Sequence, residues 1–144
     1  MKWEGEPLPL EVQQLLAPFF PSFDLSRVRV SEPIPRYVRL FSTNEPLGYT
    51  DRNRIYFAPG AYRIDCAEGL ALIAHEVAHC WQYQELGTWR FRAKYLLAYF
   101  RNRLRGMNAE SAYAQIPFEI EARAVEGRVL LALMHLQSEF LPME

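Results

Sequence analysis

The pentapeptide His75-Glu76-Val77-Ala78-His79 constrains this chain more than any other stretch. Residues four apart in an α-helix lie one turn apart on one face, so two imidazoles at this spacing can meet at a single ion. Glu76 lies beside His75 on that face, where it can act as general base on a water at the ion without binding the ion itself. Ile73, Ala74, Val77, Ala78, Cys80 and Trp81 bring no charge, Pro or Gly, which suits a buried, uninterrupted helix.

The boundaries of that helix are predicted from residues outside the motif. Asp65 is the expected N-cap with Glu68 three residues on, and Gly87 the expected C-cap, giving one helix over 66–86. Leu72, His75, Glu76, His79 and Tyr83 share one face, and the other faces are nearly all apolar, so the helix should be central. The alternative is a pair of hydrogen-bonded core histidines with an accidental Glu. A buried face carrying two His and a Glu needs a partner for every polar atom, and one metal ion serves all three.

Catalytic zinc takes three protein ligands and a water, so a third ligand is needed. No His lies between Trp81 and Trp89. The best candidates are the carboxylates in 116–126, on a helix that Pro117 starts. Glu119, Ala122 and Glu126 fall on one stripe, with Ala122 small enough for a second helix to approach, so Glu119 ranks first. Glu126 is the supporting or substitute ligand. Glu121 is rotated about 200° from Glu119 and cannot face the same ion. His135, sixteen residues past Glu119, is about 160° round the helix and reads as an exposed helix-end His. Tyr113, just ahead of this helix, either donates a hydrogen bond to the tetrahedral oxyanion or packs as an aromatic at the core edge.

These residues resemble the gluzincin zinc peptidases, in which two helix His and a downstream Glu bind the ion. Glu119-Ile120-Glu121-Ala122 is similar to the E-x-x-A-D element of membrane-bound CAAX-type endopeptidases, whose first Glu is the ligand, which implies that role for Glu119. The Asp that ends the element is Arg123 here, so the surroundings of the ion must be built differently. A closer likeness is to small zinc-peptidase-like bacterial domains, some associated with extracellular contractile injection systems. Their H-E-x-x-H-x-x-Q-like helix is matched by residues 75–82 with Gln82, and the resemblance covers most of 8–126. It implies an α+β, zincin-like single domain over 1–144, with a small sheet or hairpin packed on the H-E-x-x-H helix and further helices after it.

Half of the 144 residues are apolar, enough for one core without cross-links, and a net charge of −1 gives no overall pull toward polyanions. The two cysteines, Cys66 and Cys80, would lie about 21 Å apart along one helix, too far for a disulfide. The first residues lack the apolar core of a signal peptide and no run of about 20 apolar residues is present, so a cytoplasmic location is expected.

Residues 10–20 read as an amphipathic helix stopped before Pro21, and 28–30 and 37–41 as strands. Residues 47–50 and 55–58 read as a hairpin around the turn Asp51-Arg52-Asn53-Arg54, and helices are expected over 107–114 and 117–137. In zinc peptidases an edge strand beside the active-site helix holds an extended substrate, and the resemblance makes 54–58 the candidate ledge. Between Gly87 and Gly106 lie six cations and no acid, interleaved with Trp89, Phe91, Tyr95, Tyr99 and Phe100. The preferred reading packs Trp89, Tyr95, Leu96, Tyr99 and Phe100 inward and leaves the cations solvated. The other makes the segment a surface for nucleic acid, as in the SprT-like zinc proteases, or for anionic lipid.

The expected function is zinc-dependent hydrolysis of a peptide or other amide bond in a peptide or protein substrate. His75, His79 and Glu119 would bind zinc and Glu76 would activate water, with Tyr113 assisting. The alternative is a catalytically silent zinc-binding interaction or assembly module acting through residues 89–105.

Overall fold

The turn at 51–54 organises the sheet. Arg52 adopts a positive φ of 59° and reverses the chain, so that β3 (Gly48–Asp51) and β4 (Arg54–Phe57) pair antiparallel, Thr50 facing Ile55. On its other side β4 pairs in parallel with β2 (Arg29–Ser31), and β2 pairs antiparallel with the two-residue β1 (Glu6–Pro7). The order β1-β2-β4-β3 makes β3 an edge and β4 interior. The computed structural model describes residues 4–41 and 46–140.

Between the strands runs α1 (Leu10–Leu16), continued by a 3-10 turn at Ala17–Phe19 where Pro18 interrupts the α-helical bonding. Four helices follow the sheet: α2 (Ala67–Leu86), α3 (Thr88–Leu104), α4 (Ala109–Ala114) and α5 (Pro117–Phe140). The architecture is α+β, a small mixed sheet packed with helices. The core lies between the sheet, α1, α2 and α5. Val30, Ile55 and Phe57 meet Ile73 and Val77 of α2, with Ala122 and Val129 of α5 behind them, all fully buried. Buried side chains of this size contribute roughly 1.5–3 kcal/mol each, so α2 is held from several sides at once.

Three expectations are corrected. Residues 36–41 form a 3-10 turn instead of a strand: Pro35 starts it by accepting the Val38 N–H at 3.1 Å, and β2 already has a partner on each side. Cys66, rather than Asp65, caps α2, its Sγ accepting the Gly69 N–H at 3.4 Å while Asp65 pairs with Arg63. The crossing there is tight, since a Cβ on Gly69 would sit 2.1 Å from the Arg63 carbonyl oxygen. On α3, Trp89, Leu96 and Phe100 point outward, 78%, 53% and 58% exposed. The inward face is taken by Phe91, which stacks on Phe118 at 4.7 Å and against Tyr83 at 4.0 Å, and by Asn102, which donates to the Ala112 carbonyl.

The cysteines are free, Cys66 half-buried at the start of α2 and Cys80 buried in the core. Among the described residues no helix is long and apolar enough to cross a membrane.

Candidate metal centre

Position 75 and position 79 fall one turn apart on α2 as the spacing demands, and their rings stand 5.1 Å apart, nearly perpendicular. Their Nε2 atoms converge on Glu119 of α5. His75 Nε2 lies 3.1 Å from Oε1 and His79 Nε2 3.0 Å from Oε2. Pro117 starts α5 two residues earlier, and Ala122, fully buried one turn on, lets α5 lie close to α2.

The other ring nitrogens are also held. His75 Nδ1 lies 2.8 Å from Glu126 Oε1, and since a carboxylate only accepts, Nδ1 carries the proton. His79 Nδ1 lies 2.8 Å from Gln82 Oε1. The Gln82 amide nitrogen donates to the Phe118 carbonyl at 3.0 Å and to Glu121 Oε1 at 2.9 Å, so its oxygen must face His79 and that Nδ1 is again the donor. With both Nδ1 protons held in this way, each imidazole turns its Nε2 to the same point, where it now donates to Glu119 and would offer a lone pair to an ion once that proton is lost. The carboxylates 121 and 126 serve the nitrogens that face away from it, Glu126 directly and Glu121 through Gln82.

Glu76 sits beside this point and against β3. Its Oε2 is 3.8 Å from His75 Nε2, and Thr50 on β3 donates from its hydroxyl to Oε1 at 3.0 Å. Gly48 makes room: a Cβ there would come within 3.0 Å of the Glu76 Cγ and Cδ atoms. The donor atoms of His75, Glu76 and His79 lie within 4.8 Å of one another. Glu119 is fixed further by the Tyr95 hydroxyl of α3, which donates to Oε2 at 2.9 Å. Tyr113 of α4 brings its hydroxyl to the same carboxylate and to Tyr95, with its ring half-exposed. Arg123 turns away from the centre and bonds the Ala114 carbonyl, holding α4 against α5. His135 lies exposed farther along α5.

The charges follow from these contacts. Burial disfavours protonated His75, but hydrogen bonds to Glu119 and Glu126 outweigh it and raise its pKa to about 10. The same contest, with Glu119 as the hydrogen-bonded carboxylate and Glu76 nearby, raises His79. Burial would raise Glu119; the two histidines overcome it and hold the carboxyl far below the usual range. Glu76 goes the other way, because burial pushes its pKa up more than the histidines pull it down.

Two nitrogens and a carboxylate oxygen are a donor set that zinc favours. Adjacent ligands at about 2.0–2.1 Å from a tetrahedral ion are about 3.3 Å apart, close to the 3.0 and 3.1 Å separations here. Each Nε2 approaches a different Glu119 oxygen, and the cluster of His75, Glu76 and His79 could hold a metal ion. Sequence reasoning missed Tyr95 and Thr50. Tyr95 lies one helical turn after Phe91 on the inward face of α3, a signal that the sequence contains; the approach of Thr50 to Glu76 depends on β3 lying against α2 and has no local signature.

Fold and site together define a small α+β domain built around a His/Glu cluster that could hold a metal ion. The chain belongs to the eCIS core domain family, the core domain of extracellular contractile injection systems, whose model matches residues 7–87, more than half of its 144 residues. The match begins within β1, takes in the other three strands, His75, Glu76, His79 and Gln82, and ends before Glu119. Comparison with curated proteins and with solved structures gives no match.

Proposed function

We propose that this domain hydrolyses a peptide or related amide bond, with zinc held by His75, His79 and Glu119. The observation that carries the reading is the meeting of both Nε2 atoms on Glu119 while Glu126 and Gln82 hold both Nδ1 atoms. Zinc bound there supplies a Lewis acid that polarises a carbonyl and makes water more acidic.

The chain's own residues do the rest. Glu76 is buried, faces the same point and has a raised pKa, so it is suited to take a proton from the attacking water and pass it to the leaving amine. Thr50 restricts the carboxylate to one orientation. Tyr113, half-exposed beside Glu119, is the donor for the developing oxyanion. The substrate ledge moves from 54–58 to β3, because β4 is paired on both sides whereas no described strand pairs with the outer edge of β3. An extended peptide adding to that edge would pass Gly48 and Thr50, the two residues of β3 in contact with Glu76. Family membership suggests protein partners from an injection machine, and a protein substrate fits that setting.

The test combines zinc analysis with Glu76→Gln. About one zinc per wild-type chain is expected, sharply reduced in His75→Ala and Glu119→Ala. Glu76→Gln should keep the zinc and lose peptide hydrolysis by about a thousandfold or more, the size of a removed general base together with its positioning. Wild-type protein that binds no added zinc would overturn the site. Zinc-loaded protein with equal turnover in wild type and Glu76→Gln would overturn the mechanism and leave the silent binding module.

A further inference from the structure

The outward face of α3 has a composition that solvent does not explain. At about 100° per residue, Leu96, Trp89, Phe100, Leu104 and Leu97 form an unbroken stripe about 100° wide, roughly opposite the inward residues Phe91, Tyr95 and Asn102. All five are more than half exposed, Leu104 at 89%. Along the 17 residues of α3 the stripe runs for about 23 Å. Soluble domains scatter exposed apolar side chains singly; a continuous ridge marks a contact surface.

Charge defines what it contacts. Arg90, Lys94 and Arg101 border the stripe on one side and Arg103 on the other, all exposed. Arg92, also on the second side, is tied to Asp51 at 2.6 Å and lies 5.3 Å over the Trp89 ring. Residues 86–109 contain no acid. A second copy would set cation against cation along the whole ridge. Nucleic acid is bound by cations lining a groove with aromatics that stack, and here aliphatic Leu96, Leu97 and Leu104 occupy half or more of the stripe. A convex apolar ridge with cations on both shoulders and an indole at one end matches a plane of anionic headgroups over acyl chains, into which such a helix sinks about 5–10 Å.

We propose that α3 is an interfacial helix that seats this domain on an anionic lipid bilayer, with Trp89, Leu96, Leu97, Phe100 and Leu104 inserted and the flanking cations at the phosphates. The long Arg and Lys stems let the charges stay at headgroup level while the stripe goes deeper. The inference does not depend on the metal centre.

Co-sedimentation of the full chain with vesicles tests it, using phosphatidylcholine alone and equal parts phosphatidylcholine and phosphatidylglycerol. Binding is expected on the anionic vesicles and should weaken several-fold as salt rises from about 0.1 to 0.5 M. Leu97→Gln with Phe100→Gln removes apolar contact without changing charge and should cost about tenfold or more in partitioning. Arg90→Gln with Lys94→Gln should cost roughly tenfold on anionic vesicles only. All four side chains are exposed, so circular dichroism and zinc content should stay as in wild type. The proposal is overturned by the absence of binding at low salt, by equal binding to neutral vesicles, or by binding that survives both double substitutions. A solution dimer that Leu97→Gln with Phe100→Gln abolishes would also overturn it and assign the ridge to a second copy. Oligonucleotide binding tighter than vesicle binding, lost with Arg90→Gln and Lys94→Gln, would assign it to nucleic acid.

Discussion

Gln82 makes no contact with the proposed ion position, yet replacing it should weaken zinc binding by one to two orders of magnitude. The side chain is 2% exposed and makes three hydrogen bonds: one accepted from His79 and two donated to α5, at the Phe118 carbonyl and Glu121. Gln82→Met keeps the length and removes all three. The His79 N–H then loses its partner inside the protein at about 1–3 kcal/mol, while the Phe118 carbonyl keeps its helical bond within α5 and exposed Glu121 turns to water at little cost. A loss of about 1–3 kcal/mol of folding stability follows. His79 also loses the contact that fixes its tautomer and ring angle, an effect worth about 10–100-fold in metal affinity at comparable sites. The assay is competition for zinc against a chromophoric chelator on wild type, Gln82→Met and Glu126→Gln, with thermal melts of the chelated proteins. Glu126→Gln should cost less than Gln82→Met, because Glu126 is 36% exposed and water can replace it at Nδ1. Zinc affinity within about twofold of wild type in Gln82→Met, with an unchanged melt, would refute the argument that this amide orients His79.

Tyr95→Phe removes the hydroxyl that donates to Glu119 at 2.9 Å and should lower zinc affinity about tenfold in the same competition. Gly48→Ala places a methyl 3.0 Å from Glu76, and turnover should fall several-fold at unchanged zinc content as the carboxylate shifts by a few tenths of an ångström. Gly69→Ala, 2.1 Å from a backbone oxygen, should destabilise the fold by about 1–3 kcal/mol, read as a drop of roughly 3–12 °C in the melt. In chelated protein His75 has a pKa raised from 6.5 to about 10, so its protonated form stabilises the fold fully below about pH 6.5 and this contribution is lost as pH rises toward 10. Zinc uptake should run oppositely and strengthen over the same window, since proton and metal compete for Nε2.

The local parts of this structure were legible in the sequence and the tertiary choices were not. The helix at 67–86 announced itself through its apolar run and Gly87, and the hairpin through Asp51-Arg52-Asn53-Arg54. The convergence of residue 119 on the two histidines was also readable, because Pro117, Ala122 and the helical period place one face of α5 before any packing is known. Residues 36–41 misled because Tyr37, Val38 and Phe41 carry strand propensity while Pro35 favours a local turn, and β2, the strand just before them, is already paired on both sides. The 54–58 ledge misled for a similar reason: which of two hairpin strands lies outside is decided by β2, about 25 residues earlier. On α3 two opposed stripes, one aromatic and one aliphatic, were both able to form a core, and only the stacking of Phe91 on Phe118 selects between them.

The contacts between α2 and α5 would make an ion bound at the proposed site a link between the two helices as well. An ion held by His79 and Glu119 would close a loop of roughly 40 residues comprising α3 and α4, and because it binds the folded chain and not the unfolded one, it would stabilise that closure by its own binding free energy. Few side chains of that loop reach the core: Phe91, Asn102 and Ala112 are the buried ones in α3 and α4. Without an ion, Glu119 is held to α2 by hydrogen bonds alone, and the excursion from 88 to 116 becomes the segment whose amides exchange first and whose backbone a protease reaches first. An ion bound there would thus add to the stacking of Phe91 on Phe118 and Tyr83 in fastening this excursion to the rest of the domain.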